Sequence, residues 1–118
     1  MRLRDLDAEF ICSGLFNSEV SGFHRVETMT EAQGIIFLCP KCFAANGGRV
    51  GTHAVICWSR SRGAPEDFSP LPGRWALAGT GIDDLSLNVD SGCEKDSVQL
   101  IGGCNAHYLV KNGDVKLC

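Results

Sequence analysis

Near the middle of the chain the sequence reads Leu38-Cys39-Pro40-Lys41-Cys42, and near its end it reads Cys104-Asn105-Ala106-His107. Each segment places two metal-binding side chains three positions apart. This spacing lets the chain turn so that both donors reach one ion, about 2.3 Å from a sulfur and about 2.0 Å from a histidine nitrogen. Two such pairs complete a tetrahedron, so the sequence predicts a metal site made of Cys39, Cys42, Cys104 and His107.

Zinc is the cation expected at this site, because a closed set of three sulfurs and one nitrogen without a redox requirement favours zinc. His53 and Cys93 are the substitutes if His107 does not bind, since either could supply a fourth donor from the segment between the two pairs. Two alternatives stay open. The first pair could serve thiol redox chemistry, although that motif normally follows a strand and opens a helix, and residues 43–48 make a poor helix. The thiols could also be buried side chains that pack as small hydrophobic groups.

The other cysteines have no partner at the same spacing. An odd total of seven and a reducing compartment argue against a disulfide framework. Cys57 lies in the apolar run Ala54-Val55-Ile56-Cys57-Trp58, which predicts a core position in a strand. The residues not expected to bind metal are therefore Cys12, Cys57, Cys93 and Cys118.

Short apolar runs between turn signals predict a mainly β domain, of the small α+β kind. Strands are expected at residues 22–29, 35–38, 53–60, 74–78 and 84–89, with one helical turn at residues 30–33. Residues 61–73 hold three of the four prolines and predict an irregular loop. Asn112-Gly113 predicts a C-terminal β-hairpin between residues 108–111 and 114–117, because both central residues of a type I′ turn need positive φ. Zinc would then cross-link distant parts of this compact fold. Each ligand pair would form a zinc knuckle like those of zinc ribbons.

The composition places the chain among compact proteins of one domain, spanning residues 1–118. It has 44% hydrophobic residues and a formal net charge of −3, so it lacks the surplus positive charge of non-specific nucleic-acid or membrane binders. No apolar run approaches the roughly 18 residues needed to span a bilayer. The first ten residues contain three acids where a secretory signal would be apolar, which predicts a cytoplasmic protein.

Three segments together resemble a family of small, functionally uncharacterised bacterial and phage proteins. They are the Leu38-Cys39-Pro40-Lys41-Cys42 segment, Leu85-Ser86-Leu87, and residues 104–110 followed by Asn112-Gly113. The resemblance covers residues 35–118, the expected zinc-binding β core, whereas residues 1–34 match less well. The proline-rich loop after Trp58 and residues 90–99 depart from the family's pattern. The resemblance implies zinc at both ligand pairs, and an accessory protein of a phage or prophage that would act in the host cytoplasm.

The first functional hypothesis is a zinc-stabilised binding module that contacts a host or phage protein. Four protein ligands leave zinc no open position for water, so an enzyme is not expected. Arginine and aromatic side chains around the proline-rich segment are the predicted contacts, because these types are favoured interface anchors. They are Arg60, Arg62, Phe68 and Trp75.

Two alternatives remain. A zinc-ribbon-like protein could bind nucleic acid through arginines in residues 49–74, with Trp58 and Trp75 for base stacking. A zinc-dependent hydrolase is the other alternative, in which Asp83 or Asp84 would act as general base if His107 were not a ligand. The motifs of zinc peptidases and zinc deaminases are both missing from the sequence, which disfavours the hydrolase.

Overall fold

A computed structural model describes residues 1–14, 22–68, 70, 73–90, 95–100 and 103–118. In this part of the chain, nine strands form three antiparallel sheets, accompanied by one α-helix and four short 3-10 helices. The mainly β class predicted from the sequence is confirmed. The α-helix has seven residues, and none of the described helices could span a lipid bilayer.

The largest sheet has four strands in the order β2-β1-β3-β4. Its strands are β1 (Glu9–Ser13), β2 (Phe23–Val26), β3 (Gly34–Leu38) and β4 (Ala54–Trp58). Residues 1–34 thus contribute two of its four strands. They also contribute Leu3 and Leu6, whose side chains are fully buried in the core.

Two smaller sheets complete the fold. One pairs β5 (Trp75–Ala78) with β6 (Ser86–Val89), and the other has the order β7-β8-β9, with β7 (Val98–Gln99), β8 (His107–Lys111) and β9 (Asp114–Leu117). Asn112 and Gly113 join β8 to β9 with φ of 51° and 74°, so the predicted hairpin and its turn chemistry are confirmed.

Because side chains alternate along a strand, the two faces of the four-stranded sheet contribute to different cores. Ile35 and Phe37 of β3 belong to the main core, which draws on all three sheets and in which Phe37 meets Tyr108 edge-on at 6.0 Å between ring centroids. Trp58 lies in a second, smaller core on the opposite face, where it packs against Phe68.

The structure corrects the expectation that residues 43–48 make a poor helix. Helix α1 (Pro40–Asn46) begins directly after Cys39, with proline at its first position, where the missing N–H costs nothing. Gly47 ends the helix in the left-handed conformation, with φ of 67°. Gly47, inside the segment expected to make a poor helix, is therefore the C-terminal cap of α1.

Candidate metal centre

Four donor side chains converge where β3 ends and β4 begins. One ligand atom from each of Cys39, Cys42, His53 and Cys104 lies within 4.8 Å of the other three. Cys39 follows β3, and Cys42 lies in the first turn of α1. His53 directly precedes β4, and Cys104 lies in the turn before β8. Three separate parts of the chain thus meet at one cluster that could hold a metal ion.

Hydrogen bonds outside the cluster fix these three parts relative to one another. The β3–β4 register pairs Leu38 with Ala54, and the Cys39 backbone N–H then donates to the His53 carbonyl at 2.9 Å. The Lys41 ammonium donates to the Cys104 carbonyl at 2.6 Å, which ties the late segment to helix α1. The polypeptide therefore holds the donors together through contacts that do not use the donor atoms.

Two of the distances between the donor atoms fit tetrahedral coordination of one ion. The sulfurs of Cys39 and Cys104 are 3.7 Å apart, and the Cys104 sulfur is 3.5 Å from Nε2 of His53. A regular tetrahedron around zinc has edges of about 3.8 Å between two sulfurs and about 3.5 Å between sulfur and nitrogen, from ordinary bond lengths. A disulfide would instead bring two sulfurs to about 2.05 Å. The residues present therefore fit a tetrahedral metal centre.

The thiols of the cluster differ in acidity. The hydrogen bond with His53 is the main cause that lowers the pKa of Cys104, to about 6. Burial, followed by hydrogen bonds with Cys104 and Cys39, raises the pKa of Cys42 to about 11. Neighbouring thiolates disfavour one another, because like charges repel at short distance. A divalent cation removes that repulsion and binds the thiolate form.

The fourth member of this cluster is His53, the substitute considered from the sequence, and not His107. His107 opens β8, where its backbone pairs with Gln99. Its neighbour Tyr108 is fully buried in the main core together with Cys39, and alternation along the strand turns His107 to the other face. His53 is brought to the cluster by the pairing of β3 with β4, a signal that the C-x-x-H spacing does not contain.

The cysteines outside the cluster that the structure describes are Cys12, Cys57 and Cys118, and all are free thiols. Cys12 donates a hydrogen bond to the Gln33 side-chain oxygen at 3.1 Å. Cys57 is fully buried in β4, as the sequence predicts, and burial raises its pKa. Cys93, the other substitute ligand, lies outside the described residues.

Two of the residues predicted to contact a partner around the proline-rich segment pack inside the protein. Trp75 is only 9% exposed, and its indole N–H faces the Ser97 carbonyl at 3.3 Å, so it is a core residue and not a surface anchor. Phe68 is half-buried against Trp58.

The two arginines predicted as contacts also have internal partners. Arg60 pairs with the Glu66 carboxylate at 2.6 Å. Arg62 donates to the carbonyls of Met29 and Ala32, at 2.5 Å and 3.3 Å. Arg60 therefore pairs within its own loop, and Arg62 joins that loop to residues 29–32.

The arginines and tryptophans suggested for nucleic-acid binding also have partners within the protein or are buried. Arg74 is 1% exposed and donates to five backbone carbonyls of the proline-rich segment, those of Pro65, Glu66, Phe68, Pro70 and Gly73. Arg49 pairs with Asp7 at 3.1 Å. Both tryptophans are buried, so neither presents a ring on which a base could stack.

The acids considered as a general base belong to a turn. The Asp84 carboxylate accepts hydrogen bonds from the backbone N–H groups of Thr80 and Gly81, and the first of these bonds is the main cause that lowers the pKa of Asp84. The Asp83 carboxylate faces Arg4 at 3.7 Å. Neither acid is a member of the metal cluster.

Fold and site together define a small β protein with a three-cysteine, one-histidine cluster. Comparison with protein-family models, curated proteins and solved structures gives no match to this chain. A function is therefore inferred from the geometry of the cluster.

Proposed function

We propose that this protein is a zinc-stabilised binding module in which Cys39, Cys42, His53 and Cys104 hold a structural zinc ion. One observation carries the proposal: four donors from three parts of the chain lie within 4.8 Å of one another. Two of the separations between these donor atoms, 3.7 Å for Cys39 and Cys104 and 3.5 Å for Cys104 and His53, match the edges of a zinc tetrahedron.

The donor types favour zinc over other divalent cations. Thiolates and imidazole are soft or borderline ligands, whereas magnesium and calcium take oxygen ligands. Three sulfurs and one nitrogen form a complete set for a structural site, and a catalytic zinc keeps one position for water. With four protein ligands bound, zinc acts here by holding the fold together.

A protein is the proposed partner of this module. The arginines and tryptophans that would serve a nucleic-acid binder are paired or buried, and the net charge of −3 does not favour phosphate. Trp75 is buried, and Arg60, Arg62 and Phe68 have partners within the fold, so no contact surface is proposed around the proline-rich segment. The cytoplasmic setting and the phage or prophage origin remain predictions from the sequence and its resemblance.

Two histidine variants test the ligand assignment directly. Loss of a residue that only hydrogen-bonds to a metal ligand typically weakens metal binding by about 10- to 100-fold. His53→Ala removes a ligand itself, so it should weaken zinc binding by more than that. His107→Ala is the matched control and should leave the affinity within about threefold, because its side chain lies outside the cluster. Competition with a chromophoric chelator measures both affinities, and elemental analysis of the unaltered protein should give one zinc per chain.

The reverse result would overturn the assignment. If His107→Ala loses zinc and His53→Ala keeps it, the fourth ligand is the one expected from the sequence spacing. If neither variant changes the affinity, the centre holds its ion without a histidine and the tetrahedron proposed here is wrong.

A further inference from the structure

We infer that the metal centre is also an oxidation site, at which peroxide converts Cys104 and Cys39 into a disulfide and releases the metal. This inference rests on the proposed function, because it concerns the same four ligands. It adds a covalent modification that the structural role of zinc does not require.

The cluster is open on one side and closed on the other. His53 is exposed and both Cys104 and Cys42 are half-buried, whereas Cys39 has no exposed surface. Cys104 also stands between two exposed residues, Gly103 and Asn105, outside any strand or helix. A small oxidant from solvent therefore reaches the Cys104 sulfur before it reaches the Cys39 sulfur.

A resolving sulfur for Cys104 is already in place. The sulfurs of Cys39 and Cys104 are 3.7 Å apart, so a disulfide requires them to approach by less than about 2 Å. Cys104 lies in a turn in which Gly103 and Asn105 both adopt positive φ, and a side chain at Gly103 would meet no atom of the described residues within 4 Å. This open turn is the part of the site with room to move, because Cys39 is fixed between β3 and helix α1.

The chemistry consists of two balanced steps with hydrogen peroxide as the oxidant. The Cys104 thiolate attacks one peroxide oxygen, the O–O bond breaks, and the departing hydroxide takes up a proton, which gives sulfenic acid and water. The Cys39 thiolate then attacks the sulfenic sulfur. The S–O bond breaks, and the hydroxide leaves as a second water after taking up another proton. Two thiolates lose two electrons in total, and one peroxide is reduced to two waters.

In the oxidised product, the Cys39–Cys104 disulfide replaces the metal as the cross-link between two parts of the chain. The disulfide removes two of the four ligands, so the zinc ion is left with only Cys42 and His53 and dissociates. The new bond still joins the end of β3 to the turn before β8, the same parts of the chain that the metal joined. The oxidised protein should therefore be free of metal yet folded, whereas the reduced protein without metal should unfold.

The experiment starts from the full zinc-loaded chain, after elemental analysis has established one zinc per chain. Hydrogen peroxide is added while a chromophoric chelator reports free zinc. Cleavage after Lys and Arg separates Cys39 (residues 26–41) from Cys42 (residues 42–49) and places Cys104 on residues 96–111. The expected results are release of the zinc, loss of two free thiols per chain, and a linked pair of the peptides that carry Cys39 and Cys104.

Two controls keep the result interpretable. Cys118→Ser removes an exposed thiol outside the cluster and should leave zinc release and the linked peptides unchanged. Addition of a dithiol and zinc should restore the reduced, loaded protein, and circular dichroism of the oxidised form should retain the β signature of the loaded protein.

Several outcomes would overturn the inference. They are retention of zinc at a peroxide concentration that oxidises Cys118, a linked pair that includes the Cys42 peptide in place of Cys39 or Cys104, and unfolding of the oxidised form. A chain that carries no zinc at the start would overturn the proposed function itself, which separates that failure from a failure of the oxidation site.

Discussion

Removal of zinc from the reduced protein should abolish its cooperative thermal unfolding and collapse its amide proton spectrum. A structural zinc contributes about 10 kcal/mol or more of apparent binding free energy to folding, whereas a domain is stable by only about 5–15 kcal/mol. The ion joins Cys39, at the end of β3, to Cys104, in the turn before β8, across a long loop whose closure opposes folding. Without the ion, this closure would depend on a few hydrogen bonds and on the main core.

The measurement compares melting curves and amide dispersion in the presence of a strong chelator. The matched control is the same chelator saturated with zinc beforehand, which should leave both signals unchanged. An identical melting curve and dispersed amide signals in the chelated sample would contradict the structural role of the metal.

Gly113→Ala should destabilise the protein by about 3 kcal/mol or more, as expected for overpacking against backbone combined with left-handed strain. A Cβ at Gly113 would collide with the Asp83 carbonyl oxygen, and the residue has φ of +74°. The Gly113 N–H also donates to the Leu85 carbonyl at 2.7 Å, so the hairpin turn cannot withdraw without losing that bond.

Gly47→Ala is the matched control for this variant. Gly47 has φ of +67° at the end of helix α1, and within the described part of the chain a Cβ there would meet nothing within 4 Å. Gly47→Ala should lower the free energy of unfolding by only about 1 kcal/mol, because alanine disfavours the left-handed conformation. Urea unfolding of the zinc-loaded variants measures the loss of stability in each. Equal losses would show that the contact with Asp83 adds no destabilisation at position 113.

Local chemistry explains what the sequence could predict. Asn112-Gly113 specifies its turn through the φ values of two adjacent residues, and the apolar run around Cys57 specifies a buried strand. The C-x-x-C spacing similarly brings Cys39 and Cys42 together by itself. These features require no knowledge of distant contacts.

The remaining features depend on contacts between distant residues. His53 joins the cluster because β3 and β4 pair in a register that places it beside Cys39, whereas the predicted ligand His107 is turned away by the strand that it opens. Trp75 resembles a surface anchor in sequence and is buried by the packing of three sheets. Helix α1 was hidden by Gly47, because a glycine that ends a helix and one that prevents a helix look alike in a single sequence.

X-ray absorption at the zinc edge of the purified, reduced protein tests most directly whether these four side chains hold one ion. The proposed centre predicts three sulfurs at about 2.3 Å and one imidazole nitrogen at about 2.0 Å, with no oxygen ligand. A spectrum with two sulfurs, a bound water, or no stoichiometric zinc at all would contradict it.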